Sequence, residues 1–102
     1  MYNLDISLAA RKDSREILAY IKNKLFAPQA ATNLADKFDE CYKRLENNPY
    51  MYEVCRHPKL KELGFRRAVI KNYILLYQVF EENNLVIVNR IFHGKRDYPN
   101  LI

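Results

Sequence analysis

Downstream of Gly64, three apolar runs follow one another with almost nothing between them: residues 65–70, 73–80 and 85–92, separated by K-N and by E-E-N-N. Two parallel neighbours need a crossover of a dozen or more residues, so links this short require antiparallel hairpins. The second half of the chain is therefore committed to a small antiparallel sheet. Its middle run places Ile74, Leu76, Gln78 and Phe80 on one side and Tyr73, Leu75, Tyr77 and Val79 on the other. Neither side is properly polar. A sheet of this kind needs cover on both faces: helices on one, and a ligand, the final residues or a partner on the other.

The first half supplies the helices. Residues 2–8 alternate, with Tyr2, Leu4, Ile6 and Leu8 on one side, which is the period of a half-buried strand. Ser7 suits the cap of a helix whose apolar positions are Ala10, Ile17, Ile21 and Leu25, with Leu18 beside them. Pro28 suits the first turn of a second helix, striped by Ala31, Leu34, Ala35, Phe38, Cys41, Tyr42 and Leu45 and stopped by Asn47, Asn48 and Pro49. The short F-A-P link makes the two helices an antiparallel pair. Residues 49–64 are mixed, basic and turn-rich, and read as an irregular functional loop or a short strand. The expected fold is α+β, in the order β-α-α-β-β-β: an antiparallel sheet with a two-helix hairpin packed on one face. With 102 residues, 49% of them apolar, the chain is a single domain over 1–102.

Charge is unevenly placed. Residues 1–50 carry eight Lys/Arg against seven Asp/Glu, and residues 51–102 carry nine against five. The C-terminal half is cationic, as expected of a chain that meets a polyanion or an acidic protein, or of one whose charge serves solubility alone. The two cysteines lack the count of a disulfide framework and the spacing of a metal site, so neither metal nor cofactor is expected and a reduced, cytoplasmic setting is. No apolar run approaches the roughly 18 residues of a membrane span, and the start has no basic region followed by an apolar one.

The chemistry concentrates in I-F-H-G-K-R-D-Y-P, residues 91–99, directly behind the last apolar run. Imidazole is the side chain suited to moving protons near neutral pH, which makes His93 the candidate proton carrier. Arg66, Arg67 and Arg90 either pair with acids across the sheet, contributing at most ~1 kcal/mol each, or gather with Arg96 into the positive surface a phosphate backbone needs. Tyr73 and Tyr77 share a face, as core residues or as a stacking platform. His57, before Pro58 in the basic stretch, reads as structural or exposed.

Across nearly its whole length the chain resembles the RelE/ParE toxins of type II toxin–antitoxin modules. The resemblance rests on the opening strand with S-L-A-A, on A-P-Q-A-A at the second helix and L-E-N-N-P at its end, and on L-G-F-R-R, N-Y-I-L-L-Y-Q-V and I-F-H-G-K-R-D-Y, in that order. It implies a basic toxin neutralised by an acidic, partly disordered antitoxin in a hetero-oligomer. The toxin would act by metal-independent, ribosome-dependent mRNA cleavage; alternatively it would inhibit DNA gyrase, or act without enzymatic activity through antitoxin-bound operon repression. By this resemblance His93, Arg67, Arg96 and Tyr98 are the expected catalytic group, and Arg66, Arg90, Lys95, Lys71 and Tyr77 the expected RNA contacts. One position departs from the nuclease pattern: the nucleases place an arginine directly after the tyrosine of the central strand, and here Tyr73 is followed by Ile74.

Overall fold

A computed structural model describes residues 1–101. The chain forms β1 (Asn3–Ile6), α1 (Leu8–Asn23), α2 (Pro28–Asn47), α3 (Pro58–Glu62), β2 (Arg66–Ile70), β3 (Tyr73–Phe80) and β4 (Leu85–His93), with 3-10 turns at Glu81–Asn83 and Tyr98–Leu101. Ser7 caps α1, its Oγ accepting from the Ala10 amide at 3.0 Å, and Pro28 sits in the first turn of α2. Both termini are where the sequence puts them, because a cap and an N-terminal proline act locally.

The four strands lie in the order β1-β4-β3-β2. β2–β3 and β3–β4 are antiparallel hairpins, whereas β1 runs parallel to β4. The sheet is mixed rather than wholly antiparallel, and the reason lies in the helical hairpin. α2 returns the chain to its starting end, where the Tyr2 amide donates to the Glu46 carbonyl at 2.8 Å. β2 therefore sets out in the same direction as β1, and two reversals later β4 shares that direction.

Both faces of the sheet are covered. On the helix side Phe38, Cys41 and Leu45 of α2 pack with Leu75, Tyr77, Val86, Val88 and Ile91. On the opposite side Cys55, Leu60, Phe65, Ile74, Leu76 and Phe92 form a second, smaller core against which Tyr98 packs. Leu75, Leu76 and Tyr77 are each 0% exposed, so three consecutive residues of β3 are buried and the strand is the floor of both cores. The second cover is α3, in the stretch that reads from sequence as loop or strand. It was missed because five residues cannot display a helical period. Pro58 opens it, and His57 Nδ1 accepts from the Lys59 amide at 3.3 Å, so His57 is a helix cap. Burial pushes the Cys41 and Cys55 thiols upward, and both remain free. No helix among the described residues is long and apolar enough to cross a membrane.

β1 pairs with Leu85–Val88, so among the described residues the outer edge of β4 beyond Val88 lacks a strand neighbour. Asp13 of α1 serves that edge. Its carboxylate accepts from Arg90 Nε at 2.7 Å, from Arg90 Nη2 at 3.0 Å and from the Ile91 amide at 3.0 Å. The Arg90 and Asp13 side chains are 29% and 12% exposed, so the pair is substantially desolvated. A bulge precedes it: Leu76 pairs with Arg90 and Tyr77 with Val88, which leaves Asn89 unopposed. The extra residue shifts the alternation of β4 by one. Beyond it Ile91 joins the helix-side core and Phe92 the second core.

Far from that clasp, Tyr2 and Tyr50 both donate to Glu81 in the β3–β4 turn. Hydrogen bonds from Tyr50 first and Tyr2 second hold the Glu81 carboxyl below the usual range, and the same contact pushes the Tyr50 hydroxyl up to about 12.

Asp13→Ala strands a desolvated guanidinium and an unpaired amide, and should lower unfolding free energy by about 2–3 kcal/mol in urea melts. The double variant Asp13→Leu/Arg90→Met should cost less than the two single changes added together, because neither charge is then left alone. For Glu81, the folded-state value is depressed, so its contribution is complete above the ordinary carboxylate value near ~4.3 and lost as pH falls further. Glu81→Gln should accordingly lower Tm at pH 7, with the gap from the parent closing as pH falls below the ordinary carboxylate range. A gap that persists in acid would show that the carboxylate charge is not what matters.

Candidate functional site

The β2–β3 turn and the segment after β4 meet at one end of the sheet. The turn is only Lys71-Asn72, with Lys71 held at φ +55°. That region is sparsely populated by residues other than glycine, asparagine and aspartate, and such strain collects at functional turns. The Gly94 amide donates to the Asn72 carbonyl at 2.7 Å, which fastens the tail to the hairpin. A Cβ on Gly94 would lie 3.3 Å from that carbonyl oxygen, so the close approach favours glycine. The tail then turns on His93: the Lys95 amide donates to His93 Nδ1 at 3.2 Å and the Arg96 amide to the His93 carbonyl at 3.0 Å. A ring whose Nδ1 accepts carries its proton on Nε2. His93 meets the edge of Tyr73 at 5.5 Å between centroids, and Tyr73 meets Phe38 at 6.3 Å, so the imidazole is placed by the core.

Around this junction lies a cleft of about 360 Å³, lined by Arg67, Val69, Lys71, Asn72, Tyr73, Ile74, His93, Gly94 and Lys95. No carboxylate among the described residues lines it. Four residues marked out in the sequence, Arg67, Lys71, His93 and Lys95, are thus brought together. Arg67 is held through its backbone, its amide donating to the Glu53 carbonyl at 3.0 Å. Its Nε is buried and makes no hydrogen bond, with the Glu53 carboxylate 3.9 Å away, too far to satisfy it. Such an arrangement can hold and neutralise an anion, and among the described residues His93 is the imidazole that lines it.

The remaining candidates go elsewhere. Arg90 is engaged by Asp13 and also lies 4.5 Å from the Phe92 ring, so it is a structural clasp on the far side of β4. Arg66 takes the opposite side of β2 from Arg67: it donates to the Tyr52 carbonyl at 2.7 Å and sits 5.0 Å over the Tyr50 ring. Tyr77 is fully buried, its hydroxyl donating to the Pro49 carbonyl at 2.6 Å, and burial pushes that hydroxyl upward. It is core and cannot stack on a base. Tyr98 stacks on Phe92 at 6.2 Å and 16° and lines no cleft described here. Arg96 faces a second cleft of about 270 Å³, lined also by Asp13, Glu16 and Tyr20, and lies 5.6 Å from the Phe92 ring. His93 and Tyr73 line both clefts and form the partition between them.

Ile74 lies in the buried floor of the second core, with Leu76 and Phe92. Where the nuclease pattern has an arginine, this chain has part of its hydrophobic interior. Asn72 and Gly94 were not singled out from sequence. A two-residue turn and a lone glycine behind a strand are nonetheless signals of close backbone approach.

A family model describing the ParE toxin of the type II toxin–antitoxin system parDE matches residues 4–98. Among solved structures, the chromosomal ParDE system from P. aeruginosa is similar with a TM-score of 0.73 at 18% identity, covering 93% of this chain and 98% of that one. The RelBE2 toxin–antitoxin complex from Mycobacterium tuberculosis gives 0.62 at 19% identity, covering 90% of each chain. The intact E. coli RelBE complex gives 0.58 at 20% identity, covering 94% and 100%. No curated protein matches in sequence. At these identities the structures establish the shared RelE/ParE fold, and the family match spans almost the entire sequence. The chain therefore belongs to the ParE toxin family of type II toxin–antitoxin systems.

Proposed function

We propose that the chain is a cytoplasmic toxin held inactive by a cognate antitoxin, and that it acts on DNA gyrase rather than by cutting translated mRNA. The observation that carries the choice of target is Ile74. A ribonuclease working without metal needs cations converging on the scissile phosphate and groups placed to move two protons. Here the central strand offers an isoleucine buried in the second core. Arg90 is engaged by Asp13, and Tyr98 is stacked against Phe92. What is left is a cationic surface suited to binding, and the family match to ParE toxins supports the same direction. An antitoxin partner is supported by the similar structures described as ParDE and RelBE systems and by the cationic surface, which an acidic segment folding on contact would neutralise.

A second reading, ribosome-dependent mRNA cleavage, is favoured by one observation: His93 shares its cleft with Arg67, Lys71 and Lys95.

On induction without its antitoxin the chain should stop thymidine incorporation first, with filamentation, while methionine incorporation continues. Purified protein should inhibit supercoiling of relaxed plasmid by gyrase. A prompt fall in methionine incorporation, with new mRNA ends in primer extension, would overturn the gyrase assignment. The second reading would then require His93→Ala to slow cleavage by about 10²-fold or more.

A further inference from the structure

We propose that the tip of the helical hairpin, around Phe26, is a contact surface for a second copy of this chain, each copy placing its Phe26 ring in an apolar socket of the other.

The first observation is a side chain with no role in the monomer. Where α1 ends, the Leu25 amide donates to the Tyr20 carbonyl at 3.2 Å and the Ala27 amide to the Ile21 carbonyl at 3.1 Å. Between them Phe26 is held at φ +50°, the left-handed conformation that glycine most often supplies at helix ends and that a bulky side chain resists. Packing does not explain the strain, because Phe26 is 85% exposed and belongs to neither core. Leu25 beside it is 56% exposed. An aromatic ring kept in water on a strained backbone has the character of a contact anchor.

The second is the hollow next to it. Ile21, Leu25, Ala27, Ala30, Leu34 and Tyr73 give a cavity of about 350 Å³ its apolar lining. A dry apolar cavity of ~150 Å³ is enough to hold a benzene ring, so a phenylalanine ring fits here. Leu25 and Ala27, the two neighbours of Phe26, both line the hollow, whereas Phe26 itself does not. Ring and socket therefore lie on one face. That is the condition for a two-fold contact, in which the same patch serves both copies.

The third is charge, and it selects the occupant. Residues 25–35, L-F-A-P-Q-A-A-T-N-L-A, carry none, in a chain of which 28% is charged. Gln29, Ala30, Thr32 and Asn33 of α2 are exposed and uncharged. A contact whose centre is free of charge suits two identical chains, since no group there meets a like charge. Lys22 and Lys24 precede the run and Lys71 borders the hollow; all three are exposed, so water and salt weaken their repulsion across the contact. Ring and socket each lose about the ~150–250 Å² that an aromatic side chain carries. Two such insertions withdraw roughly 600–1,000 Å², below the standard size of a stable complex, which makes the dimer a weak one, forming at roughly tens to hundreds of micromolar.

The test is sedimentation velocity of the full-length chain over about 5–500 µM, at low and at high salt. The expected mass rises from 12.2 kDa toward twice that across the series. Association should hold or tighten as salt rises, because the charges bordering the contact are of one sign. Phe26→Gly should weaken association at least ~10-fold while leaving Tm unchanged or higher, since glycine suits the backbone there. Ala30→Arg, at an exposed helix position, should weaken it similarly by putting a charge into the socket. Leu8→Ser removes an 85% exposed leucine from the other end of α1 and should leave association unchanged. A chain that stays at monomer mass up to about 500 µM would overturn the proposal. So would a dimer that persists in both Phe26→Gly and Ala30→Arg, or one lost equally in Leu8→Ser. Association that falls as salt rises would place the contact between acids and lysines on another face, and would sink the proposal too. The measurement uses neither gyrase, ribosome nor antitoxin, so its outcome leaves the choice of target to the incorporation experiment.

Discussion

One carboxylate organises the business end of this molecule. Asp13 projects from the first helix onto the edge of β4 that no strand covers, and satisfies both arms of Arg90 and the Ile91 amide at once. An uncovered edge of this sort presents unpaired backbone groups. Here a helix side chain occupies the edge in place of another strand, so β4 stays ordered to His93. From there Gly94 and Lys95 are delivered to the hairpin turn. The same contact withdraws Arg90 from any anion. Arg90, the one Lys or Arg of β4, is thereby structural, whereas Lys95, beyond the strand, lines the cleft.

The rest of the site is a consequence of a sheet buried on both sides. Because β3 is the floor of two cores, its side chains are spent on packing, and function is displaced to the margin where turn and tail meet. Tyr73 is the hinge of that arrangement. It belongs to the helix-side core through Phe38 and to the site through His93, so the position of the imidazole is inherited from hydrophobic packing. Tyr98 shows the converse: a residue near the end of the chain, expected to be chemical, closes the second core instead.

How far the sequence discloses this follows from the range of the interactions. Ser7, Pro28, the stripe Ala31–Leu34–Phe38–Cys41–Leu45 and the hairpins at 71–72 and 81–84 are local signals, and each is where it was read. The parallel partnership of β1 is a property of the helical hairpin's return and has no local signature. Five-residue α3 is too short to show a period. Of the residues to which the resemblance points, Arg67, Lys71, His93 and Lys95 share the candidate cleft, while Arg90 and Tyr77 are engaged elsewhere. Tyr77 belonged to an alternation whose inner side was undetermined, and the Asn89 bulge moves every later residue of β4 by one. Arg90 had a visible warning, since Asp13 falls between Ala10 and Ile17 on the apolar stripe of the first helix. A charge in that place needs a partner, and an arginine on an apolar strand is the natural one.

The parallel pairing of β1 with β4 also bears on how the molecule comes into being. The strand made first waits for the strand made last, since residues 3–6 have no neighbour in the sheet other than 85–88. While the chain emerges in order, the helical hairpin can form but its cover cannot close, and the last hairpin must be complete before the opening segment has anything to join. Contacts so distant along the chain make folding slower. They also mean that a truncated product, released before the fourth strand, is not a weakened form of the protein but an open one.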